Sequence, residues 1–439
     1  MSFSSLGLSA PLVRAVSDLD YDEPTPIQLS AIPAILRGGD VWASAKTGSG
    51  KTAAFLLPIL ELLSTGRQAA PRVTRALIVV PTRELAMQIG EAVRNYGCRL
   101  AVPLKSCVAI GGVSINPQMM ALRGGADLVV GTPGRLLDLE SCDALRLSSI
   151  EILVLDEADR LLGLGFADEL ARLLTLLPER RQNLFFSATF PAAVHELADK
   201  LLRDPIQINS DAGATPSSTV IAQRAIEVDA ERRTLLLRHL LGAESWKSAL
   251  VFVATKYGAD HVTMKLQRAG IAAASLHGEL SQGARTQALA DFKAGKVQVL
   301  VATDVAARGV DIAELAAVVN YDLPRSPVDY VHRIGRTGRA GETGVAVSFV
   351  SADTDAHFRL IEKKNRLAIA REQIAGFEPH QLAIPVRDAK GGVKGKRKSK
   401  KDKLREAAAA ARGETTSVKS NFPHEPLFPW TPPVPKRGR

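Results

Sequence analysis

Short apolar runs alternate with stretches of helical periodicity along most of this chain, and this alternation limits the possible folds more than any other feature. In the first half, the runs ALIVV, DLVV, ILVL and NLFF are rich in Val, Ile and Leu. Between them, Leu85, Ile89 and Val93 recur at the spacing of one helix face. Because apolar strands separated by amphipathic helices form parallel sheets covered on both faces, the pattern predicts an α/β fold.

The alternation stops once and then starts again. Residues 210–219, SDAGATPSST, are small, polar and rich in residues that break regular structure, which is typical of a linker. Beyond them, LVFVAT, VQVLVATD and AAVVNYD resume the apolar runs. We therefore predict two α/β domains at residues 1–209 and 223–370, a flexible linker at 210–222, and a disordered, low-complexity tail at 371–439.

The net charge of +10 is concentrated at the C-terminal end of the chain. Residues 390–439 contain 14 Lys and Arg against 4 Asp and Glu, a difference of +10, so the preceding residues sum to zero. A neutral body with a basic tail indicates long-range attraction of a polyanion by the tail and specific chemistry elsewhere. A tail that only increases solubility is the alternative.

Cysteine usage and hydropathy exclude several classes of protein. Cys98, Cys107 and Cys142 are scattered, so neither a disulfide framework nor a zinc site is expected, and a reducing cytoplasm fits best. The segment MSFSSLGLSAPL lacks the regions of an export signal, and no run approaches the roughly 18 uncharged apolar residues of a membrane span. We expect neither export nor a membrane partner.

Five polar clusters follow directly after predicted strands of the first domain. They are KTGSGKT, PTREL, GTPGR, DEAD and SAT. Since ligands of open parallel sheets bind beyond the carboxyl ends of the strands, these clusters predict one active edge.

The cluster AKTGSGKT has the composition of a phosphate-binding loop. Gly48 and Gly50 permit successive backbone N–H groups to surround phosphate oxygens at a helix N-terminus. Lys51 adds a charge near the β- and γ-phosphates, and Thr52 offers a hydroxyl to Mg²⁺. Ala45 stands where the general pattern has its first glycine.

The cluster DEAD follows the apolar run ILVL. Asp156 emerges from the predicted strand, where a hard cation could bridge it to a nucleotide, and Glu157 could deprotonate an attacking water. Alone, such a tetrad is as well explained by a helix N-terminus, which favours negative charge. The phosphate loop on the same edge favours the catalytic interpretation.

Eight segments together resemble the motifs of the DEAD-box RNA helicases. They are PTPIQ, AKTGSGKT, PTRELA, TPGR, DEAD, SAT, ATDVAARGVD and HRIGRTGRA, and the similarity covers about residues 3–350. GGVSINPQMMALRGG and SQGARTQALADFKAG further resemble the bacterial RhlE-like branch. The resemblance implies two tandem RecA-like domains, the first of which includes the adenine-reading motif.

The resemblance implies that ATP and Mg²⁺ bind at this edge. Gln28 would pair with adenine, Phe3 would stack on it, and Asp311 would meet the ribose. Thr52 and Asp156 would hold Mg²⁺ largely through water. The residues implied to bind ATP are Phe3, Gln28, Ala45, Lys46, Thr47, Gly48, Ser49, Gly50, Lys51, Thr52 and Asp311. Those implied to be catalytic are Lys51, Asp156, Glu157, Arg336 and Arg339.

The same resemblance implies contacts to the RNA sugar-phosphate backbone, with little sequence preference. The residues concerned are Arg83, Gly111, Gly112, Thr132, Arg135, Thr255, Arg285 and Thr303. Ser187 and Thr189 are implied to couple hydrolysis to unwinding, with His332 as their partner across the cleft.

HRIGRTGRA places three arginines three residues apart. From spacing alone they could bind RNA, reach a nucleotide or lie in solvent. The resemblance divides them: Arg336 and Arg339 would reach the γ-phosphate on domain closure, and Arg333 would support the loop.

The resulting hypothesis is an RNA-dependent ATPase that separates short RNA duplexes by closing two domains. A nucleotide-gated RNA scaffold and a DNA helicase remain as alternatives. A monomer in the cytoplasm, with partners from ribosome assembly or RNA turnover, is the family-level expectation. The tail would tether RNA; import into a nucleus or protein docking are its alternatives.

Overall fold

The computed structural model describes residues 2–45, 48–65, 72–209, 221–307, 315–338 and 344–380. They form two parallel sheets of seven strands each, flanked by helices. The first sheet contains β1 (Val41–Ser44), β2 (Ala76–Val79), β3 (Ser106–Ala109), β4 (Leu128–Gly131), β5 (Ile152–Leu155), β6 (Gln182–Ser187) and β7 (Ile206–Asn209). The second contains β8 (Ala222–Glu227), β9 (Ala249–Val253), β10 (Ala273–Leu276), β11 (Val299–Thr303), β12 (Ala317–Asn320), β13 (Val345–Val350) and β14 (Arg371–Glu372).

Helices connect successive strands. In the first half they are α1 (Ala10–Ser17), α2 (Pro26–Leu36), α3 (Lys51–Thr65), α4 (Arg83–Gly97), α5 (Asn116–Leu122), α6 (Pro133–Ser141), α7 (Ala158–Gly163), α8 (Ala167–Thr175) and α9 (Ala192–Leu201). In the second half they are α10 (Arg233–Ala243), α11 (Lys256–Arg268), α12 (Gln282–Lys293), α13 (Asp304–Ala307), α14 (Pro327–Ile334) and α15 (Asp355–Asn365). Short 3₁₀ helices span Phe3–Leu6 and Ala230–Arg232.

The two sheets have the same strand order. The first runs β3-β4-β2-β5-β6-β1-β7 and the second β10-β11-β9-β12-β13-β8-β14, so each strand of one sheet has an equivalent in the other. All the recorded strand pairs are parallel. The predicted α/β class with two domains of similar construction is confirmed.

Alternating side chains of each strand pack on opposite faces of the sheet, as the pleat requires. In β2, Ala76 and Ile78 join one apolar cluster, and Leu77 and Val79 join another. In β9, Val251 and Leu250 likewise belong to different clusters. Both faces are therefore covered, which explains why central strands such as β2 and β9 are apolar at every position.

The ends of the second sheet differ from the predicted boundaries. β8 begins at Ala222, inside the predicted linker, and β14 lies beyond the predicted end at residue 370. Ion pairs help to hold these two polar strands in place. Arg224 of β8 pairs with Glu372 of β14 at 2.8 Å, and Arg371 of β14 pairs with Glu362 of α15 at 2.8 Å. Neither end carries an apolar run, so hydrophobic patterning gave no signal for it.

No helix in the described part of the chain is long and apolar enough to cross a lipid bilayer. Most of the predicted linker and the tail from residue 381 onward lie outside the described residues.

Candidate functional site

A cavity of about 670 Å³ lies at the carboxyl edge of the first sheet. Its volume suits a small-molecule ligand. The wall combines residues of the first domain with one arginine of the second. Those that were predicted from sequence to bind or process ATP are Gln28, Gly48, Gly50, Lys51, Thr52, Asp156, Glu157 and Arg336.

The loop after β1 is built to surround an anion. Gly48 and Gly50 have φ values of 83° and 89°, which favour glycine. Lys51 begins α3, is 7% exposed, and donates from Nζ to the Ala45 carbonyl at 3.0 Å. The loop thus places a buried positive charge and the N-terminus of a long helix at the cavity wall.

Gln28 connects the adenine-reading motif to this loop. Its Oε1 accepts from the Thr25 backbone N–H at 2.9 Å, which completes a capping box at the start of α2. Its Nε2 donates to the Gly50 carbonyl at 3.1 Å. A Cβ at Gly50 would lie 2.5 Å from this nitrogen, so a side chain there would break the connection.

The structure corrects the assignment of Phe3 as the ring that stacks on adenine. Phe3 is 4% exposed, packs in the apolar core of the first domain, and is not among the residues that line the cavity. Tyr21, which is 44% exposed, lines the cavity instead. Sequence reasoning missed Tyr21; an aromatic ring among charges in DYDE, just before PTPIQ, was the available signal.

Asp156 and Glu157 follow β5 with different surroundings. Asp156 is 3% exposed, and its burial raises its pKa to about 6 against the opposing effect of Lys51. Glu157 adopts a left-handed conformation at φ 51° and pairs with Arg160 at 3.0 Å. Arg160 was not identified from sequence, because nothing in the motif distinguishes it from an exposed helix residue.

Asp159 is the centre of the hydrogen bonds that join DEAD to SAT. Its Oδ2 accepts from the Thr189 hydroxyl at 2.6 Å and from the Thr189 backbone N–H at 3.2 Å. Its own N–H donates to the Ser187 hydroxyl at 3.3 Å. His332 of the second domain lies 3.9 Å from the same carboxylate, measured from Nε2. The three residues predicted to couple the domains therefore meet at Asp159: Thr189 and His332 at its carboxylate, and Ser187 at its backbone N–H.

The imidazole of His332 is held neutral at this contact. Burial lowers its pKa to about 4, and the neighbouring Arg160 acts in the same direction. At pH 7 the contact is therefore a polar one between a neutral ring and Asp159, rather than an ion pair.

The described arginines of HRIGRTGRA are unequal. Arg333 is 3% exposed and held inside its own domain: Asp304 accepts from Nε at 2.6 Å and from Nη2 at 2.7 Å, and Phe252 lies under the guanidinium. Arg336 is also buried but lines the cavity that contains the phosphate loop. The spacing of three residues thus separates a structural arginine from one that faces the cavity.

A second cavity, of about 360 Å³, crosses between the two domains. The first domain contributes the ends of β2, β3 and β4, and the second contributes residues after β10 and β11. Those predicted to contact RNA are Arg83, Gly111, Thr132, Arg135 and Arg285. We call this cavity the interdomain groove.

Several side chains of the interdomain groove also bond to protein. Arg285 pairs with Glu84 across the domains at 2.7 Å, and both are more than nine-tenths buried. Arg135 donates from Nη2 to the Val113 carbonyl at 2.9 Å, and its Nε lies 3.4 Å from the Asp138 carboxylate. Its Nη1 has no hydrogen-bond partner within the described ranges. Arg83 lies against Gly112, where a Cβ would be 2.0 Å from Nη1.

Other predicted residues lie outside the two cavities. Thr255 and Thr303 are at the ends of β9 and β11, on the same edge as the interdomain groove but not in its wall. Lys46, Thr47, Asp311 and Arg339 lie outside the described residues.

A further cavity, of about 700 Å³, lies at the opposite edge of the first sheet. It is lined by segments that precede β2, β4 and β5, and none of the predicted site residues lines it. Volume alone therefore does not locate the chemistry; the convergence of charged groups at strand ends does.

A phosphate loop on one parallel sheet, facing an arginine from a second sheet of the same strand order, defines a nucleotide-binding protein with two RecA-like domains. Two family models match: "DEAD/DEAH box helicase" over residues 25–197 and "Helicase conserved C-terminal domain" over residues 232–341. The chain belongs to the DEAD-box ATP-dependent RNA helicases.

The similarity extends over most of the chain. The chain is 40% identical over 370 residues to the DEAD-box ATP-dependent RNA helicase CshA of Bacillus cereus, and the match covers 84% of this chain and 69% of that protein. It is 41% identical over 377 residues to the ATP-dependent RNA helicase DeaD of Mycobacterium tuberculosis, covering 86% and 66%.

Solved structures agree. S. cerevisiae Dbp5 bound to RNA and ADP BeF3 matches with a TM-score of 0.74 and 32% identity over 85% of this chain and 95% of that chain. Mss116p bound to ssRNA and AMP-PNP matches with a TM-score of 0.76 and 29% identity over 85% and 80%.

Proposed function

We propose that this protein is an RNA-dependent ATPase that locally separates short RNA duplexes by closing its two domains on ATP and RNA. The supporting observation is that both cavities are shared between the domains. Arg336 faces the phosphate loop of the first domain, and Arg285 lies opposite Arg83 in the interdomain groove. Each ligand therefore favours the closed arrangement, and each should strengthen binding of the other.

Hydrolysis follows from the charges at the nucleotide cavity. The loop N–H groups and Lys51 bind the phosphates, and Glu157 accepts the proton of the attacking water. Arg336 stabilises the charge that develops on the γ-phosphate, but only once the second domain has closed. The Arg160 guanidinium, 3.0 Å from Glu157, keeps this carboxylate oriented.

The donor set fits Mg²⁺, which prefers oxygen ligands and retains several waters. The Thr52 hydroxyl and the buried Asp156 carboxylate line the same cavity, and they would hold the ion together with water and phosphate oxygens. The ion would neutralise phosphate charge. In the described ranges no group of three or more His, Cys, Asp or Glu side chains is arranged so that it could hold a metal ion.

Coupling would pass through Asp159, which bonds to Thr189 and faces His332. RNA in the interdomain groove aligns the domains and thereby brings Arg336 to the γ-phosphate. The contacts would be to the sugar-phosphate backbone, because glycines, threonines and arginines at strand ends carry no base-reading pattern.

The finer assignments rest on the resemblance and remain proposals. They are membership of the RhlE-like branch, a monomeric state, a cytoplasmic location, and partners from ribosome assembly or RNA turnover. GGVSINPQMMALRGG and SQGARTQALADFKAG support the branch.

The decisive experiment compares ATP hydrolysis with and without single-stranded RNA, and displacement of a short tailed duplex. We expect RNA to stimulate hydrolysis and ATP to drive displacement. Glu157→Gln should retain ATP and RNA binding but lose turnover, whereas Asp168→Asn, at an exposed carboxylate on α8, should behave as wild type. Absence of RNA-stimulated hydrolysis in the wild-type protein would contradict the proposal. RNA binding without displacement would favour the scaffold, and equal stimulation by DNA would favour a DNA helicase.

The basic tail is proposed to tether RNA without sequence preference and with strong salt dependence. Deletion of residues 386–439 should weaken RNA affinity more than basal ATP hydrolysis. Equal loss of both would contradict a tether.

A further inference from the structure

Tyr257 is the most exposed aromatic side chain in the described part of the protein, at 76%. The other strongly exposed aromatic ring there is Tyr21, at 44%, which lines the nucleotide cavity. A single exposed apolar residue is ordinary on a protein surface, so exposure alone assigns no role to Tyr257. Its position beyond the carboxyl end of β9 does indicate a role.

Tyr257 stands at the edge along which RNA is proposed to lie. β10, β11 and β9 are neighbours in the second sheet. Gly278 after β10 and Val305 after β11 line the interdomain groove, and Tyr257 follows β9 in the first turn of α11. An ion pair between Lys256 and Glu279 joins the end of β9 to the end of β10. The edge that borders the groove therefore continues to Tyr257.

The equivalent position in the first domain has a different use. Thr82 and Thr255 cap α4 and α11 with the same backbone conformation, so Glu84 is the equivalent of Tyr257. Glu84 is 3% exposed and pairs with Arg285 of the second domain. Tyr257 makes no such contact: its residue is 76% exposed, and it follows β9, the strand next to β11 on the same edge.

The ring is already supported from one side. Tyr257 stacks on His261, one helical turn later, with ring centroids 5.7 Å apart and planes 13° apart. With 76% of the residue exposed, the opposite face of the ring remains accessible. An aromatic face offers no hydrogen-bond donor to a phosphate, but it stacks well on a nucleobase. Because the neighbouring imidazole already holds the ring, the side chain loses little conformational freedom on binding.

We propose that Tyr257 stacks on one base of the RNA strand where the strand leaves the interdomain groove over the second domain. The inference rests on the proposed RNA-binding function and adds a base contact to an interface otherwise made to the backbone. Because a purine offers a larger stacking surface than a pyrimidine, the protein should prefer a purine at that one nucleotide.

The test measures the affinity of the full chain for single-stranded RNA of ten nucleotides, by fluorescence anisotropy with a non-hydrolysable ATP analogue. Tyr257→Ala should weaken binding about five-fold or more, since one stacked base contributes on the order of 1–3 kcal/mol. Tyr257→Phe, which retains the ring, should bind as wild type. Met120→Ala, at a 60% exposed side chain beside the far cavity, is the matched surface control.

A scan with one abasic nucleotide separates stacking from a general loss of affinity. At one position the abasic strand should bind the wild-type protein more weakly, by a factor similar to that of the substitution, and should cause no further loss in Tyr257→Ala. Equal affinity of wild type and Tyr257→Ala, or equal abasic losses in both at every position, would overturn the inference and leave the proposed function intact. Failure of the wild-type protein to bind RNA would contradict the proposed function itself.

Discussion

The two domains have the same strand order, yet their strand ends carry corresponding residues in only one half of each sheet. On the side of β3, β4 and β2, and of β10, β11 and β9, the strand ends correspond in residue type. Gly111 corresponds to Gly278 and Thr132 to Thr303, and Thr82 and Thr255 both cap the next helix. The side of the sheet that is proposed to bind RNA is thus present in both domains.

The nucleotide side is not duplicated. After β1 the chain forms the glycine loop and Lys51, whereas after β8 it continues through Asp229 into a 3₁₀ helix, with no glycine before Gly242. The second domain instead contributes Arg336 to the cavity of the first. RNA should therefore engage both domains in similar ways, while ATP binds to the first domain and needs the second only for hydrolysis.

The largest effect should come from Arg336, because this residue is the contribution of the second domain to the nucleotide cavity of the first. Arg336→Ala should lower the RNA-stimulated kcat by roughly 10³-fold, because an arginine that reaches the γ-phosphate acts mainly in the transition state. ATP affinity without RNA should remain near that of wild type. Steady-state hydrolysis and nucleotide titration measure the two, with Arg325→Ala, at an exposed position beside α14, as control. Normal hydrolysis with weakened RNA binding would instead place Arg336 on the RNA side.

The next largest effect concerns the buried ion pair that joins the parts of the two domains proposed to bind RNA. Glu84→Gln leaves Arg285 buried without its counter-charge, so we expect closure to lose roughly 3 kcal/mol, or about 100-fold in RNA-stimulated kcat/KM. Glu91→Gln, at an exposed position on the same helix, should have no such effect. Exchanging the charges, Glu84→Arg with Arg285→Glu, should restore part of the loss. A double variant no better than the sum of its parts would show that the pair does not act across the domains.

Acid should lower the free energy of unfolding through the buried imidazole of His332. Burial lowers the His332 pKa to about 4, while an unfolded histidine titrates near 6.5. Between these values the unfolded state holds more protons, so this contribution to stability is complete above about pH 6.5 and falls as the pH decreases. From pH 7 to pH 5 the loss is roughly 2 kcal/mol.

Urea unfolding at several pH values measures this effect. His332→Gln, which does not titrate, should lose less stability than wild type over the same range. Parallel pH profiles for the two proteins would show that His332 is not held neutral in the folded state.

The smallest effect is expected from two substitutions that test whether the parts of the two domains proposed to bind RNA are equivalent. Thr82→Ala and Thr255→Ala each remove a helix cap, and each should cost about 1 kcal/mol in the free energy of unfolding. Serine at either position should retain the cap. If RNA affinity falls by a similar factor in both alanine variants, the correspondence holds for binding as well as for fold; an effect on one side only would limit it to topology.

Sequence predicted the parts of the site that depend on local patterns. The loop at Gly48 and Gly50 and the carboxylates after β5 were identified because each motif is set by a strand end and the turn beyond it. Contacts between distant segments were not predicted. The Glu84–Arg285 pair depends on how the domains meet, and the burial of Phe3 depends on packing around the first 3₁₀ helix. Tyr21 was overlooked because the signal in DYDE, a ring among charged residues, does not by itself indicate which ligand the ring would face.

The apolar clusters have a consequence for how the chain folds. Each of the five clusters found among the described residues draws its members from one domain only, so neither domain completes its core with the other. The halves should therefore unfold in separate transitions, and the first can fold during synthesis before the second leaves the ribosome. Nascent protein would then bind ATP before it is able to hydrolyse it, since Arg336 arrives with the second half.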